Sequence, residues 1–559
     1  MYDLLIKDAR IHDGLGAEPA SGDVAVAGGR IVDIGRISAV AAETVDAQGL
    51  ALMPGIVDVH THYDAQLTWE PTASPSPALG VTTVVVGNCG FGIAPCPAEA
   101  REAVVRNLSE VEGMPLEVLE GGIDWSFTTF ADYLALLRRK GTTPNVGVFA
   151  GHSTIRSVVM GPAASERAAT AEEIARMRAE VAAALAAGAI GFASSQSLNH
   201  MGYGGVPMPS RLAEEAETRA LVGVLGAAAK GLFQITVGPA TTVASLEQLA
   251  RDTRRPVVFS ALFHNDAYPE RAPSMLAQCN QARARGAEVY AQVGCQPLSM
   301  DFTLANAYPF QSLDIWAPLR AAAPEAIARA IADPDFRARF RAAIGARRKG
   351  TLFYGDWHRV EIAEAATGAN AALEGLDLAE VAARQRKDPL DAFFDLALAE
   401  ELRTVFNARL LNTDEEVVAG LLRDPSSLVS LSDAGAHLTY LCDAGYGLHL
   451  LGHWTRARAT FTLPEAVREL TSRPADLYGI AGRGRIAPGA QADLLLFDPD
   501  TVEVSRPRRV FDLPGGSGRL VRDGIGVHGV WVNGAQVFDG SDYVAQQRPP
   551  GTVLDRFGP

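Results

Sequence analysis

Lysine is scarce in this chain: Lys7, Lys140, Lys230, Lys349 and Lys387 are all that its 559 residues contain. Cysteine is as rare, with Cys89, Cys96, Cys279, Cys295 and Cys442 widely spaced and no CxxC pair. That spacing excludes a disulfide framework, a zinc ribbon and a dithiol redox site, so any cysteine chemistry must come from a single thiol. Positive charge is in deficit, 50 basic against 65 acidic side chains and a net charge of −15. Such a chain repels phosphate backbones and anionic membranes, and no local run of Lys and Arg compensates. No stretch approaches 18 uncharged apolar residues, and the opening MYDLLIKDARIHDG lacks the features of a signal peptide. These absences predict a cytoplasmic protein with no nucleic-acid or membrane partner, and leave homo-oligomerisation open.

With 48% hydrophobic residues, the chain has ample material for a large core. Its two ends read as short strands. Near the N-terminus, 3–7, 23–26 and 30–34 alternate in polarity around a Gly28-Gly29 turn, and near the C-terminus 492–497, 502–504 and 529–537 have the same texture around Asn533-Gly534. Residues 548–551 read as a loose tail. Between the ends, apolar runs rich in Val, Ile and Gly recur at 55–60, 81–87, 145–151, 189–194, 232–237, 257–263, 288–293 and 428–432. Ala-rich helical patterns at 171–187, 213–230, 244–253 and 273–285 separate several of them. This alternation predicts α/β architecture, a (β/α)8 TIM-like barrel with a small β-sandwich formed from both chain termini and helical insertions. The boundaries read as 1–54 and 480–559 for the sandwich and 55–479 for the barrel, with insertions at about 91–144 and 300–427. Within the second insertion, 320–349 and 378–424 look helical, a lid or subdomain, since bare loops of that length are uncommon.

Three motifs sit where such a barrel keeps its chemistry, at the C-terminal ends of strands. The first is His60-Thr-His62, followed by Tyr63 and Asp64. Alternation along a strand places both imidazoles on one side, which suits two ligands of one metal, although two histidines near a strand end are as readily polar loop residues. The second is Gly87-Asn88-Cys89-Gly90, where a thiolate flanked by glycines can approach a metal. A lone cysteine is more often a small buried hydrophobe. The third is Ser432-Asp433 with Gly435 and His437: a carboxylate there can bind a metal and shuttle a proton, or simply cap a helix. His437, His449 and His453, with Tyr440 and Tyr446, follow the last strand and read mainly as a polar lid surface.

Together with Gly151-His152-Ser-Thr-Ile-Arg156 after the third strand run and the closing Gly482-Arg-Gly-Arg485-Ile-Ala-Pro488-Gly489, these motifs resemble the amidohydrolase superfamily, and within it the N-acyl-D-amino-acid deacylase (D-aminoacylase-like) family. The resemblance implies a Zn2+-dependent hydrolase of an amide C–N bond in an N-acylated amino acid or similar small molecule, acting through metal-activated water. It implies His60 and His62 as ligands, Cys89 in the place where other members use a carboxylated lysine, and Asp433 as ligand and proton shuttle. None of the five lysines lies at the end of a strand run, in keeping with that substitution.

The chain departs from the family at two positions. Gln234 stands where a ligand histidine follows the fifth strand, and His264 matches the sixth-strand histidine only after a shift of about three residues. One metal held by His60, His62, Cys89 and Asp433 is therefore favoured, with His264 as a fifth candidate and two metals still possible. His152 is a candidate for polarising the scissile carbonyl, and Tyr63, Arg156 and Gln234 for contacting substrate. Two other functions are kept open: hydrolysis of a cyclic amide, carbamate or urea, and a degenerate binder without turnover.

Overall fold

The computed structural model describes residues 1–311, 313–320, 322–346 and 353–558. Eight parallel strands form its centre: β1 (Ile56–Asp58), β2 (Val81–Val86), β3 (Asn145–Gly151), β4 (Gly191–Ser195), β5 (Leu232–Thr236), β6 (Val257–Leu262), β7 (Val289–Val293) and β8 (Ser427–Val429). They pair in sequence order from β1 to β8. Beyond the ladder, a parallel bridge joins Thr61 to Ala434 and brings the first strand beside the last. The result is a curled, TIM-like sheet, with each run from the sequence at its expected place. Runs such as Val-Thr-Thr-Val-Val-Val in β2 are buried along their whole length, as expected of strands covered on both faces.

Alternation divides the strand side chains between two layers. Val57, Val85, Phe149, Ala193, Leu232, Val258 and Leu428 meet in one cluster, with Tyr290 of β7 packed against it. Only the lumen can gather side chains from all eight strands, so this cluster is its apolar floor. Two residues further along β5, β6 and β7, the same face carries Gln234, Ser260 and Gln292, all buried. The lumen therefore turns polar toward the strands' C-terminal ends. The opposite face packs under helices such as Ala171–Ala187, which starts at a Thr170–Glu173 capping box and ends at Gly188.

Strands from both termini share one sheet rather than two separate modules. Ala51–Pro54 pairs with Tyr2–Ile11 on one side and, antiparallel, with Leu494–Phe497 on the other. The Gly28-Gly29 and Asn533-Gly534 turns both have the positive φ angles of tight hairpins. Asp493 ties this sheet to the barrel: it accepts from the Asn533 amide at 2.8 Å and from Asn145 Nδ2 at 3.1 Å, and is paired with the buried Arg483 guanidinium.

Two expectations are corrected. The second insertion is not wholly helical: Val405–Leu411 is a strand between Leu298–Phe302 and Val360–Glu364. Its alternately buried Phe406, Ala408 and Leu410 belong to a separate aromatic core with Phe302, Phe310, Phe340 and Phe393. Helices Pro324–Ala332 and Pro334–Gly345 do occupy the earlier part, while Ala321 and 347–349 lie outside the described residues. The C-terminal tail is not loose. The Gly551 amide donates to Thr142 O at 2.7 Å, the Asn533 side chain reaches Pro550 O, and Val553 bridges Val146 of β3.

Replacing Asp493 with alanine leaves Arg483 buried without its counter-charge, a change that costs about 3–5 kcal/mol. Urea unfolding of Asp493→Ala is expected to show a clearly lowered midpoint; an unchanged midpoint would show that Asp493 does not hold the terminal sheet to the barrel.

Candidate metal centre

His60 and His62 leave the end of β1, Cys89 follows β2 and Asp433 follows β8. His60 Nε2 lies 3.4 Å from Cys89 Sγ and 3.2 Å from Asp433 Oδ1, and His62 Nε2 lies 3.6 Å from the same oxygen. The donor atoms of His60, His62 and Cys89 all fall within 4.8 Å of one another. The separations among these three donors suit atoms placed about 2.0–2.3 Å from one cation, with the Asp433 carboxylate beside the two imidazoles, and the set of two imidazoles, a thiol and a carboxylate suits a borderline-soft divalent ion. The group therefore fits a metal.

The local backbone explains the delivery of each donor. Cys89 sits at φ 56° between two glycines that cannot be replaced without collision: a Cβ on Gly87 would stand 2.8 Å from Phe149 O, and one on Gly90 2.7 Å from Ala193 O. After β8 the chain passes through left-handed conformations at Leu431, Asp433 and His437, an unusual concentration of strain in non-glycine residues. It is held by Ser432 Oγ donating to His60 O at 3.1 Å and by the His62 amide donating to Ala434 O at 2.8 Å.

Each imidazole has a partner on its second nitrogen. His60 Nδ1 is 2.9 Å from Gln292 Oε1, an acceptor, so Nδ1 carries the proton and the Nε2 lone pair faces the other donors. His62 Nδ1 is 3.0 Å from Glu112 Oε1, a close contact that departs from in-line hydrogen-bond geometry. Glu112 follows helix Arg101–Val111 of the first insertion, whose end is anchored where the His437 amide donates to Glu112 O. Burial acts to raise the Cys89 thiol, yet His60 and then His62 outweigh it and hold the group below its ordinary value. Burial likewise opposes ionisation of Asp433, but the same imidazoles hold its carboxyl well below the usual range. Burial lowers His62, and Glu112 outweighs it, leaving that ring well above its ordinary value.

These side chains open on a cavity of about 70 Å³ that also meets Phe91, His200, Thr236, Ser260 and His437. His200 Nδ1 is 2.6 Å from Ser195 Oγ, and burial lowers its pKa to about 4, so the ring is neutral at pH 7. His437 Nδ1 is held by Tyr440 Oη at 2.8 Å. A larger cavity of about 490 Å³ lies against the second insertion. It is remote in chemistry from these donors, and charges on its walls pair locally, as Glu361 does with Arg506 at 2.8 Å.

Several candidates lie elsewhere. His152 does not face the lumen: its nitrogens contact Ser194 Oγ and Glu217 Oε1, both at 2.8 Å. Ser194 follows the outward parity of Phe192, opposite to the lumen residue Ala193, so His152 belongs to the layer between strands and helices. Arg156 is fully buried there against the Glu217 carboxylate, not set to meet a substrate. Tyr63 is buried with its hydroxyl 2.7 Å from Ser76 Oγ. His264 Nε2 contacts Asp266 Oδ1 at 3.0 Å, outside the cluster. Gln234 is in the lumen, but its amide is bound to Cys89 and Ser260 rather than open to the cavity. Conversely, Glu112, His200, Thr236, Ser260 and Gln292 belong to no motif along the chain, and His437 lines the cavity rather than a lid surface.

With the geometry in place, the class follows. A model described as the amidohydrolase family matches residues 43–538, and the chain belongs to that family. Within it, the chain is 30% identical to the D-aminoacylase of Alcaligenes xylosoxydans xylosoxydans, covering 99% of this chain and 98% of that one. Among solved structures it is similar to an N-acyl-D-glutamate deacylase from Bordetella bronchiseptica, complexed with zinc and a phosphonate mimic of the tetrahedral intermediate. That likeness has a TM-score of 0.66 and 28% identity, and covers 99% of this chain and 100% of that one. It is also similar to a D-aminoacylase described as having a binuclear metal centre, with a TM-score of 0.65 and 26% identity over 100% of both chains.

Glu217→Ala leaves Arg156 buried and unpaired, at a cost of about 3–5 kcal/mol. Because this ion pair lies outside the donor cluster, urea unfolding of the variant is expected to shift while its metal content stays that of the parent. Loss of metal along with stability would put His152 and Arg156 back in the site.

Proposed function

We propose that the protein is a zinc-dependent hydrolase that cleaves the amide C–N bond of an N-acylated amino acid or a similar small molecule. The observation that carries this reading is the convergence of His60, His62, Cys89 and Asp433 at the C-terminal mouth of the barrel. The names of the relatives, D-aminoacylase and N-acyl-D-glutamate deacylase, support the substrate class. Catalysis belongs to the barrel unit, 55–479, while the strands of 1–54 and 480–559 act as a separate, small β-sandwich-like support. Five free thiols are in keeping with a reducing, cytoplasmic setting. No helix among the described residues is long and apolar enough to cross a membrane.

In this reading His60 Nε2, His62 Nε2, Cys89 Sγ and an Asp433 oxygen hold the ion. Bound there, zinc supplies Lewis-acid activation of water and carbonyl. Gln292 fixes the tautomer of His60, and Glu112 the orientation of His62. Asp433 keeps a side chain 26% exposed, the least buried of these donors, so its carboxylate can reach the cavity. It takes a proton from the attacking water and returns it to the departing nitrogen, which needs a carboxylate that is ionised at the start. His200, neutral at pH 7, and His437 stand on the cavity wall where they can hydrogen-bond the acyl group.

Activity on a panel of N-acyl D- and L-amino acids, with cyclic amides as a control, tests the reading directly; a zinc-loaded protein inert toward every acyl amino acid would overturn it. Asp433→Asn is expected to keep its fold and lose about 10²- to 10⁴-fold in turnover. Cys89→Ala is expected to lose zinc on desalting, and metal retained at parental stoichiometry would remove Cys89 from the site. Glu112→Gln is expected to weaken zinc binding by about 10-fold with little change in unfolding midpoint, as found for partners of metal-bound imidazoles. Unchanged affinity in a chelator competition would leave Glu112 a packing residue.

A further inference from the structure

Cys89 lines the cavity together with Thr236 and Ser260. Its amide donates to Gln234 Oε1 at 2.9 Å, and Gln234 Nε2 donates to Ser260 Oγ at 2.9 Å. Ser260 Oγ is 3.0 Å from Thr236 Oγ1, and Thr236 Oγ1 donates to Cys89 Sγ at 3.1 Å. Threonine has one hydroxyl proton; once it points at the sulfur, Ser260 must be the donor in the bond between the two hydroxyls. Every proton is then assigned, and the four bonds close into a ring that leaves Cys89 through its amide and returns at its sulfur. Gln234 and Ser260 are almost wholly buried, so the ring forms where hydrogen bonds are strong and each donor polarises the next.

We propose that this ring makes the centre mononuclear, with Cys89 a terminal ligand to one ion and Thr236 its positioning residue. The inference rests on the hydrolase reading above, and concerns how many ions that site holds. A second ion bridged by the sulfur would need further strong donors on its own side. Here the sulfur's partner is the Thr236 hydroxyl, and beyond it stand a second hydroxyl and an amide, neutral groups that already satisfy one another. Among the described residues, His60, His62 and Cys89 are the sole group of three or more strong donors close enough for one ion. In this respect the chain differs from the D-aminoacylase described with a binuclear centre.

The test is the zinc content of the full-length protein after loading with excess zinc and desalting, paired with the electronic spectrum of the cobalt(II)-substituted form. One equivalent is expected, with a thiolate-to-cobalt charge-transfer band. In Thr236→Val, which keeps the side-chain shape and removes the donor to sulfur, that band is expected to move to longer wavelength while stoichiometry stays at one. Two retained equivalents in the unaltered protein, or a band that does not move in Thr236→Val, would overturn the inference and leave the hydrolase reading standing. No retained metal would overturn both.

Discussion

The donor cluster depends on the seam between the first and last barrel strands. Thr61 and Ala434 are far apart in sequence, and their bridge, with the Ser432 hydroxyl on His60 O and the His62 amide on Ala434 O, brings the ends of β1 and β8 together. Two of the four proposed ligands arrive from one side of that seam and the carboxylate from the other. The left-handed residues Leu431, Asp433 and His437 are the local cost of turning the chain so that Asp433 faces the imidazoles. Gly435 allows the close approach, because a Cβ there would stand 2.8 Å from the His62 backbone.

Strand alternation then decides which polar residues share that environment. Gln234, Ser260 and Gln292 sit on the lumen face above an apolar floor, so their side chains pair with one another, the ligands, Thr236 and Tyr478. Ser194 lies on the other face, and its partner His152 is consequently spent on a buried ion-pair network with Glu217 and Arg156.

The barrel strands were legible because burial on both faces makes each a continuous run of Val, Ile and Gly, and because parallel strands need helices between them. His60, His62, Cys89 and Asp433 were legible because each follows such a run directly. Val405–Leu411 was hidden inside a helix-forming stretch, its period-two pattern too short to stand out before Phe406 found its aromatic partners. The tail after Arg548 has turn-like composition, and hydrogen bonds to Thr142, Asn145, Val146 and Asn533 order it. Glu112 carried no local mark: an acidic residue after a surface-patterned helix ordinarily faces water. Nothing along the chain relates it to His62.

What the sequence alone determined is the set of strands, the residues at their C-terminal ends and the family they resemble, since these follow from local patterning and short spacing. Tertiary structure decided the surroundings of those residues: Glu112 on His62, Gln292 on His60, the ring through Gln234, Ser260 and Thr236 on Cys89, and the withdrawal of His152 and Arg156. Such pairings form between strands and helices distant in the chain. They depend on which face each side chain takes and which neighbour closes upon it, and both are fixed only when the barrel closes.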